Sequence, residues 1–475
     1  MLVRQARSAP SKAGVYQDSA REGRLRLLYV VRWIPYIPSP GGITRTFHLV
    51  RAAMEEAHVT LVGAAVDPSS VSLEAMNGLC ERIHLVPAPA RPSPTPARSG
   101  RLLQRFLCRV IDGLHPLVDA NPYIQGQFDQ DALQRTVRDL LQTNGPYDVV
   151  IVDCTETAAI VREVLVQWGG PTIANVPDVL SLHQQRVQRL QRQQIGHRES
   201  GLHGQLVVDG LRSIKRAVAW IGTWRYVRQL QAIERDLLCS YTRVVAVSEV
   251  EAAHLRRLAP DKRVDLLASG VDVDYFGAVA TWPREQSVPR PKGDTLVFLG
   301  SLAYHPNIHA LRFFMDEVWP LVKRCRPHVR FWIVGASPGP AVQAMAEQEG
   351  VEVFASVPDV RPYVAASTVA IVPLWLGSGT RLKILEALAA HLPVVSTTFG
   401  AEGLDLEPGR DVLLADTAGA FAEAVCSLLE CPDRAQELAH HGWETVRRAY
   451  RWDGIRARFR VMIQEVGAGH ARGSL

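Results

Sequence analysis

The chain has 475 residues, of which 47% are hydrophobic and 21% are charged, and its formal net charge is +5. These values are typical of a globular protein of two or three domains. The charge is only mildly basic and no zinc-finger, homeodomain or RNA-binding pattern accompanies it, so nucleic acid is not expected as a partner. The seven cysteines are scattered, odd in number and form no Cys-x-x-Cys pair. We therefore expect reduced thiols in a cytoplasmic protein, with no metal site.

Strands and helices are predicted to alternate from residue 25 onward, after a polar segment, 1–24, that we expect to be a disordered tail. Apolar runs without alternation are typical of parallel strands that are buried on both faces. Within 25–277 they predict strands at 25–31, 59–62, 83–86, 149–152, 172–174 and 243–247, with helices at 44–57, within 101–143, at 156–168 and across 180–239. This order predicts a Rossmann-like domain with a ligand cleft at the carboxyl ends of its strands.

A second unit of the same kind is predicted after a proline-containing linker, 278–293. Residues 294–449 predict strands at 296–299, 330–334, 351–354, 369–373, 394–396 and 412–414, with helices at 307–325, 341–349, 359–366, 381–391, 417–430 and 433–449. A break at 450–452 precedes a last helix with an apolar stripe that must be buried; the stripe consists of Ile455, Phe459, Met462 and Ile463. The predicted fold class is therefore α/β, with two facing doubly wound domains and a C-terminal segment, 450–475, that crosses back onto the first domain.

The most informative motif is the segment 377–380, Gly-Ser-Gly-Thr, which we call the glycine loop. It is predicted to connect a strand to a short helix, and such a loop brings free backbone N–H groups to the positive end of the helix dipole. Arg381 and Lys383 follow in the predicted first turn, where a cation is unfavourable unless an anion binds there. Glu386 follows one turn later, where a carboxylate can accept two sugar hydroxyls. Phosphate and sugar together indicate a nucleotide-sugar, although a plain glycine turn remains the alternative.

Short phrases spread over about 25–465 resemble those of a known family in their order and spacing. Besides the glycine loop they are Ala246-Val247-Ser248-Glu249, Ser269-Gly270-Val271-Asp272, Phe298-Leu299-Gly300-Ser301-Leu302, Val357-Pro358-Asp359-Val360 and Gly400-Ala401-Glu402-Gly403-Leu404. On these residues the chain resembles the family 4 retaining glycosyltransferases of the GT-B superfamily, also called glycosyl transferases group 1. The resemblance implies transfer of a sugar from a UDP- or GDP-linked donor to a saccharide or lipid-linked acceptor, with retention and without a cofactor. It also implies a place in bacterial cell-surface or exopolysaccharide biosynthesis.

The resemblance further implies a role for each site residue. Glu386 matches the second Glu of the family's Glu-x7-Glu motif and would bind the ribose hydroxyls of the donor. Lys383 and Arg381 would meet the diphosphate and stabilise the leaving group, so they join Glu386 as catalytic residues. The implied donor-binding set is completed by Gly41, Gly42, Gly300, Ser356, Val357, Gly377, Ser378, Gly379 and Thr380. In this set Ser356 and Val357 would read the base through their backbone.

Three positions depart from or extend the family pattern. Ser378 stands where the first Glu normally contacts the transferred sugar. The family's acceptor-side His has no match in 175–178, where Asp178 is the candidate substitute and a helix N-cap is its alternative role. His183 is interpreted as a packing residue, with a functional role as the alternative. Ser378 leaves a catalytically silent scaffold subunit open as another function. A nucleotide-sugar epimerase on the same architecture is a second alternative, and the missing His in 175–178 argues against it.

Two further patterns concern the helical regions. Basic residues in 101–109 and 211–228 lie beside Trp220, Trp224 and Tyr226, which predicts peripheral contact with anionic lipid at the inner membrane, with ordinary packing as the alternative. No uncharged apolar run reaches about 18 residues, so no membrane-spanning helix is expected. Ser248, followed three residues later by Glu251, has the spacing of a capping box.

Overall fold

The computed structural model describes residues 24–35, 41–64, 76, 80–87, 129–199, 206–282 and 293–473. The predicted tail up to residue 23, the basic segment 101–109 and most of the predicted linker lie outside the described residues.

The N-terminal half builds a seven-stranded parallel sheet. Its strands are β1 (Leu25–Trp33), β2 (Ala57–Ala64), β3 (Arg82–Val86), β4 (Val149–Asp153), β5 (Thr172–Val176), β6 (Arg243–Ala246) and β7 (Val264–Leu266). Their order in the sheet is β3-β2-β1-β4-β5-β6-β7, so the winding direction reverses between β1 and β4. Tyr29 of β1 pairs with Leu61 of β2 on one side and with Ile151 of β4 on the other. In open sheets of this kind ligands bind at the carboxyl edge near the reversal.

Helices cover both faces of this sheet. They are α1 (Gly41–Glu56), α2 (Gln130–Thr143), α3 (Thr155–Trp168), α4 (Leu180–Glu199), α5 (Leu206–Ser240) and α6 (Glu249–Leu258). A short helix, α7 (Val273–Gly277), and a 3-10 turn, Ala278–Thr281, follow in the chain, and Val273 and Phe276 of α7 are buried in the core of the second domain. The predicted capping box of α6 does not form. Ser248 is the N-cap residue, but its hydroxyl donates to the Glu251 carboxylate instead of accepting from a backbone N–H. Both side chains are buried, so the carboxylate needs a donor and takes this one.

The C-terminal half repeats the same architecture with six parallel strands. They are β8 (Thr295–Leu299), β9 (Arg330–Gly335), β10 (Val351–Ala355), β11 (Val369–Val372), β12 (Val394–Ser396) and β13 (Leu413–Leu414). The order β10-β9-β8-β11-β12-β13 has its reversal between β8 and β11. The helices are α8 (His305–Phe313), α9 (Trp319–Cys325), α10 (Pro340–Gln343), α11 (Arg361–Ala365), α12 (Leu382–Ala389), α13 (Thr398–Ala401), α14 (Ala418–Glu430) and α15 (Pro432–Ala449). A π turn, Phe314–Val318, interrupts the helix predicted at 307–325, where Pro320 lacks the N–H that an α-helix would use.

The last helix, α16 (Trp452–Gly473), packs on the first domain, as its stripe predicts. Ile455, Phe459 and Ile463 are fully buried in the core cluster that contains β1, and Met462 lies beside them. Polar contacts to α1 flank this core: Gln464 Nε2 donates to Glu56 Oε2 over 2.6 Å. The predicted crossing helix is therefore confirmed.

The segment before α16 is fixed to both halves of the chain. The Val271 N–H donates to the Tyr450 carbonyl over 2.8 Å, and the Tyr450 hydroxyl accepts from the Asp405 N–H over 2.6 Å. Arg451 pairs with Asp274 at 2.9 Å. These contacts attach the crossing point to residues of each domain. Within the described part of the chain, no helix is both long and apolar enough to cross a membrane.

We expect Phe459→Ala to lower the free energy of unfolding by about 3–5 kcal/mol, because a large buried ring is replaced by a cavity. Val461→Ala is the matched control, since Val461 lies on the same helix but is 53% exposed; it should change the free energy by no more than about 0.5 kcal/mol. Urea unfolding measures both. Equal effects of the two substitutions would show that α16 is not docked.

Candidate functional site

The glycine loop lies at the carboxyl edge of the second sheet, between β11 and α12. Gly377 has φ +125° and Gly379 has φ +70°, values that favour glycine. Helix α12 begins at Leu382. Arg381 is therefore the N-cap residue and Lys383 the second helical residue, whereas the sequence predicted both cations inside the first turn. The loop needs both glycines to turn sharply from the strand into the helix.

Lys383 has an unusual environment for an ammonium group. Its Nζ donates to Asn307 Oδ1 over 2.7 Å and lies 4.1 Å from the centroid of the Phe298 ring. A Cβ on Gly300 would lie 2.9 Å from this Nζ, and Gly300 has φ +147°. Burial lowers the pKa of Lys383 to about 7, and the negative charge of Glu386 opposes that shift. The glycine at the end of β8 therefore leaves space for the lysine head group.

Glu386 lies one helical turn after Lys383. Burial raises the pKa of Glu386 to about 7, while the charge of Lys383 acts in the other direction. Among the described residues no hydrogen bond to the Glu386 carboxylate is found. An anion beside Lys383 and hydroxyl groups beside Glu386 would stabilise the charged form of both side chains. The structure thus brings together the lysine and the glutamate that the sequence predicted as one site.

Arg381 has different surroundings from Lys383. It is 7% exposed, its Nη1 donates to the Gly379 carbonyl, and its Cζ lies 5.2 Å from the centroid of the Phe399 ring. Burial lowers the pKa of Arg381, and the nearby charge of Arg186 lowers it further. The guanidinium therefore supports the loop backbone from the side where the two domains meet.

The glycine loop touches the first domain directly. A Cβ on Gly379 would lie 2.8 Å from Asp178 Oδ1 and 3.2 Å from the Pro177 carbonyl oxygen. Burial lowers the pKa of His183, and a hydrogen bond with the Gly377 backbone opposes that shift. Asp178 and His183 therefore both lie beside the loop, although the sequence favoured only a packing role for the histidine. His183 lies near the start of the predicted helical region, 180–239, and only five residues after Asp178. This short distance along the chain was the signal that placed it near the candidate site.

Asp178 does not occupy the N-cap position that was its alternative role. Helix α4 begins at Leu180, two residues further on, and the Ser181 N–H donates to Glu234 Oε1 over 2.9 Å. A carboxylate from α5 therefore caps α4. The Asp178 backbone carbonyl accepts from Thr155 Oγ1 over 2.8 Å, which fixes the position of the residue at the carboxyl end of β5.

The other predicted donor-binding residues lie at strand ends or at a helix start. Ser356 follows β10 with φ +51°, and its N–H donates over 2.8 Å to the carbonyl of Gly335 at the end of β9. Val357 is half-buried beside it. Gly41 and Gly42 are the first two residues of α1, after β1, whereas the sequence predicted that this helix begins at residue 44. The predicted set therefore follows the carboxyl edges of both sheets.

A buried polar network at the end of the first sheet was not predicted from the sequence. Arg45 is 2% exposed and donates to the Ala268 carbonyl and to Asn175 Oδ1, each over 2.8 Å. Asn175 and Thr46 in turn donate to the Asp153 carboxylate. Burial raises the pKa of Asp153 and lowers that of Arg45 to about 10. Polar residues within the apolar runs of β4 and β5 were the signal that could have indicated it.

Comparison with known proteins agrees with this architecture. Residues 293–431 match the family described as "Glycosyl transferases group 1". Sucrose-phosphate synthase from Thermosynechococcus elongatus superposes with a TM-score of 0.66 at 16% identity, covering 94% of this chain and 100% of that one. HepE from Anabaena, solved with UDP-glucose, superposes with a TM-score of 0.58 at 11% identity, covering 93% and 100%.

The fold is GT-B. In sequence, the chain is also 22% identical over 163 residues to a 44.6 kDa protein of the cps region of Klebsiella pneumoniae, a match that covers 33% of this chain and 42% of that protein. The chain thus spans less than half the length of this curated relative. At these identities the superposed structures show the shared two-domain architecture, which the sequence predicted.

We expect Gly379→Ala to loosen the contact between the domains. The added Cβ would meet Asp178 and Pro177, and the positive φ would cost about 1–2 kcal/mol in addition. Gly409→Ala is the matched control, because Gly409 has φ +82° but no atom within 4 Å of the added Cβ. Hydrogen exchange of residues 172–183 should accelerate in the first variant only. The same exchange in both variants would contradict a steric contact at this point.

Diphosphate binding should draw a proton into the site at pH 8. With a pKa of about 7, Lys383 is mostly neutral at that pH in the free protein. An anion favours the ammonium form, so the pKa of Lys383 rises on binding and the uptake approaches one proton. Calorimetry with UDP in two buffers of different ionisation enthalpy measures this uptake, and Lys383→Met should abolish it. A binding heat that is independent of buffer in the wild-type protein would exclude a lysine–phosphate contact.

Proposed function

We propose that the protein is a glycosyltransferase that moves a sugar from a nucleotide-diphosphate sugar to an acceptor hydroxyl. The observation that carries this proposal is the pair formed by Lys383 and Glu386, next to Gly300 at the carboxyl edge of the second sheet. A cation with a depressed pKa and a carboxylate with a raised pKa stand one turn apart on one helix. Such groups are matched to a ligand that brings both negative charge and hydroxyls.

Each of these groups has a distinct task in the proposed reaction. Glu386 binds the ribose hydroxyls of the donor, while Lys383 and the N–H groups of 378–381 meet the diphosphate. As the bond between the sugar and the β-phosphate oxygen breaks, negative charge grows on that oxygen. A preorganised cation in a site of low polarity stabilises this charge more strongly than it stabilises the intact donor.

The donor, the acceptor and the stereochemistry belong to the same proposal. The solved complex of HepE with UDP-glucose supports a UDP-linked donor, with a GDP-linked donor as the alternative. The resemblance of the sequence phrases supports retention and hexosyl transfer. The cps-region relative supports an acceptor in surface polysaccharide biosynthesis, a saccharide or a lipid-linked one. Cytoplasmic residence stays a prediction.

Peripheral contact with the inner membrane also stays a prediction. Its support among the described side chains is Trp224, which is 44% exposed, with Arg228 Cζ 4.0 Å from the centroid of its ring. An exposed aromatic ring next to a guanidinium suits the boundary between lipid head groups and acyl chains.

In a thermal-shift panel of UDP, GDP, ADP and TDP, one nucleotide should raise the melting midpoint more than the others, because binding to the folded state stabilises it by mass action. With the corresponding donor, Lys383→Ala should lower kcat by about 10²–10³, since the contact strengthens in the transition state. Glu386→Gln should weaken binding of the nucleoside diphosphate by roughly 1.5–3 kcal/mol for each charge-assisted hydrogen bond to the ribose that is lost. Lys262→Ala and Glu423→Gln are matched controls, because both side chains are exposed.

Three outcomes would separate the alternative functions. Donor hydrolysis without acceptor, measured as release of the diphosphate, is expected of a transferase and not of a silent scaffold subunit. A changed sugar on an intact nucleotide would indicate an epimerase. Unchanged kcat in Lys383→Ala would overturn the site assignment itself.

A further inference from the structure

A second set of contacts joins the domains beside the glycine loop. Arg186, on α4 of the first domain, donates to the carboxylate of Glu402 in the second domain. Its Cζ lies 5.1 Å from the centroid of the Phe399 ring, and Arg381 Cζ lies 5.2 Å from the same centroid. The Arg186 side chain is only 11% exposed. One phenyl ring is therefore shared by a guanidinium from each domain.

This arrangement links α4 to the backbone of the glycine loop. Arg381 donates to the Gly379 carbonyl, so a contact that fixes the position of the Arg381 side chain also restrains the loop backbone. The positive charge of Arg186 lowers the pKa of Arg381, and the negative charge of Glu402 acts in the other direction. Without Arg186, the Glu402 carboxylate would be free to pair with Arg381 and to compete with the Gly379 carbonyl for its guanidinium. The contact of Arg186 with Glu402 therefore keeps Arg381 on the loop.

Helix α4 is itself anchored firmly in the first domain. The Ser181 N–H and hydroxyl both donate to the buried Glu234 carboxylate, and Ser181 Oγ lies 2.7 Å from His254 Nε2. A carboxylate at a helix N-terminus satisfies N–H groups that have no partner within the helix. Arg186 lies five residues after Ser181, so its position follows that of the first domain as a whole.

We propose that Arg186 is a positioning residue of the donor site, which holds the glycine loop in its anion-binding form through Phe399 and Arg381. The inference rests on the proposed function, since the loop is taken to bind the donor diphosphate. Arg186 does not touch the donor in this proposal. It makes the donor site of the second domain depend on contact with the first domain, because the loop is fully supported only when the two domains meet.

The first test compares Arg186→Met with Arg189→Met. Arg189 is exposed, lies on the same helix and has no contact with the second domain among the described residues, so it is the matched control. Calorimetry with the diphosphate that the thermal-shift panel selects should show about tenfold weaker binding for Arg186→Met, within the range measured for contacting pairs. Arg189→Met should bind like the wild-type protein. Donor KM should rise more than kcat falls, because Arg186 acts on the loop and not on the leaving group.

A charge exchange tests the pair directly. Arg186→Glu alone and Glu402→Arg alone should each weaken diphosphate binding, and the double variant should restore it to within about threefold of wild type, because the ion pair is rebuilt in reverse. Arg186→Lys should fall between wild type and Arg186→Met, since lysine keeps the charge but not the planar stacking on Phe399. A double variant that binds as weakly as the sum of both single losses would overturn the proposal.

Hydrogen exchange in the ligand-free protein separates this inference from the proposed function. The N–H groups of 377–381 should exchange faster in Arg186→Met than in the wild type, with no change in Arg189→Met. If this difference is seen but no diphosphate binds, the proposed function fails and the structural link stands. If the exchange of the loop is unchanged in a folded Arg186→Met, the inference is wrong whatever the nucleotide data show.

Discussion

The site depends on one close approach, that of the glycine loop to residues 177 and 178 of the first domain. At this point the loop backbone lies directly against the Asp178 carboxylate and the Pro177 carbonyl, because a Cβ on Gly379 would lie 2.8 Å from Asp178 Oδ1 and 3.2 Å from the Pro177 oxygen. The contact brings the carboxyl edge of one sheet against that of the other. It also places His183 and Arg186 beside the loop, so that residues distant in sequence share one wall of the cleft.

The two sheets have matching strand orders, but the buried charged groups at their carboxyl edges differ in how many hydrogen bonds they make. At the first sheet, Asn175 links Arg45 to Asp153 through buried hydrogen bonds, and Arg45 Nε lacks a partner among the described residues. At the second sheet, Lys383 has a single hydrogen bond, to Asn307, and Glu386 has none among the described residues. Buried ionisable groups with few hydrogen bonds lose hydration without full compensation. In the proposed function, a bound ligand supplies the missing partners of Lys383 and Glu386.

The sequence was informative wherever a local rule decided the structure. Uninterrupted apolar runs located the parallel strands, and the stripe of α16 predicted both its burial and its return to the first domain. Glycine spacing located the loop between β11 and α12. The sequence failed where burial or a partner far away in the chain decides the outcome. The capping-box spacing of Ser248 and Glu251 misled because both side chains are buried and the hydroxyl donates to the carboxylate instead of capping the helix. The network of Arg45, Asn175 and Asp153 joins residues that are distant in sequence, and it was not predicted.

The same limit explains why Arg381 and Lys383 were given one shared role. Two residues apart, they look equivalent in a sequence that predicts both inside the first turn of a helix. The helix begins one residue later than the first of them, and this places Arg381 in the N-cap position while Lys383 lies under Gly300. From there the arginine reaches Phe399 and the interface, and the lysine reaches the end of β8. A difference of one residue in the start of α12 thus separates a group that supports the loop from a group that can meet its ligand. In the proposed reaction, the domain contact therefore acts on the loop through Arg381, and Arg186 does not touch the donor.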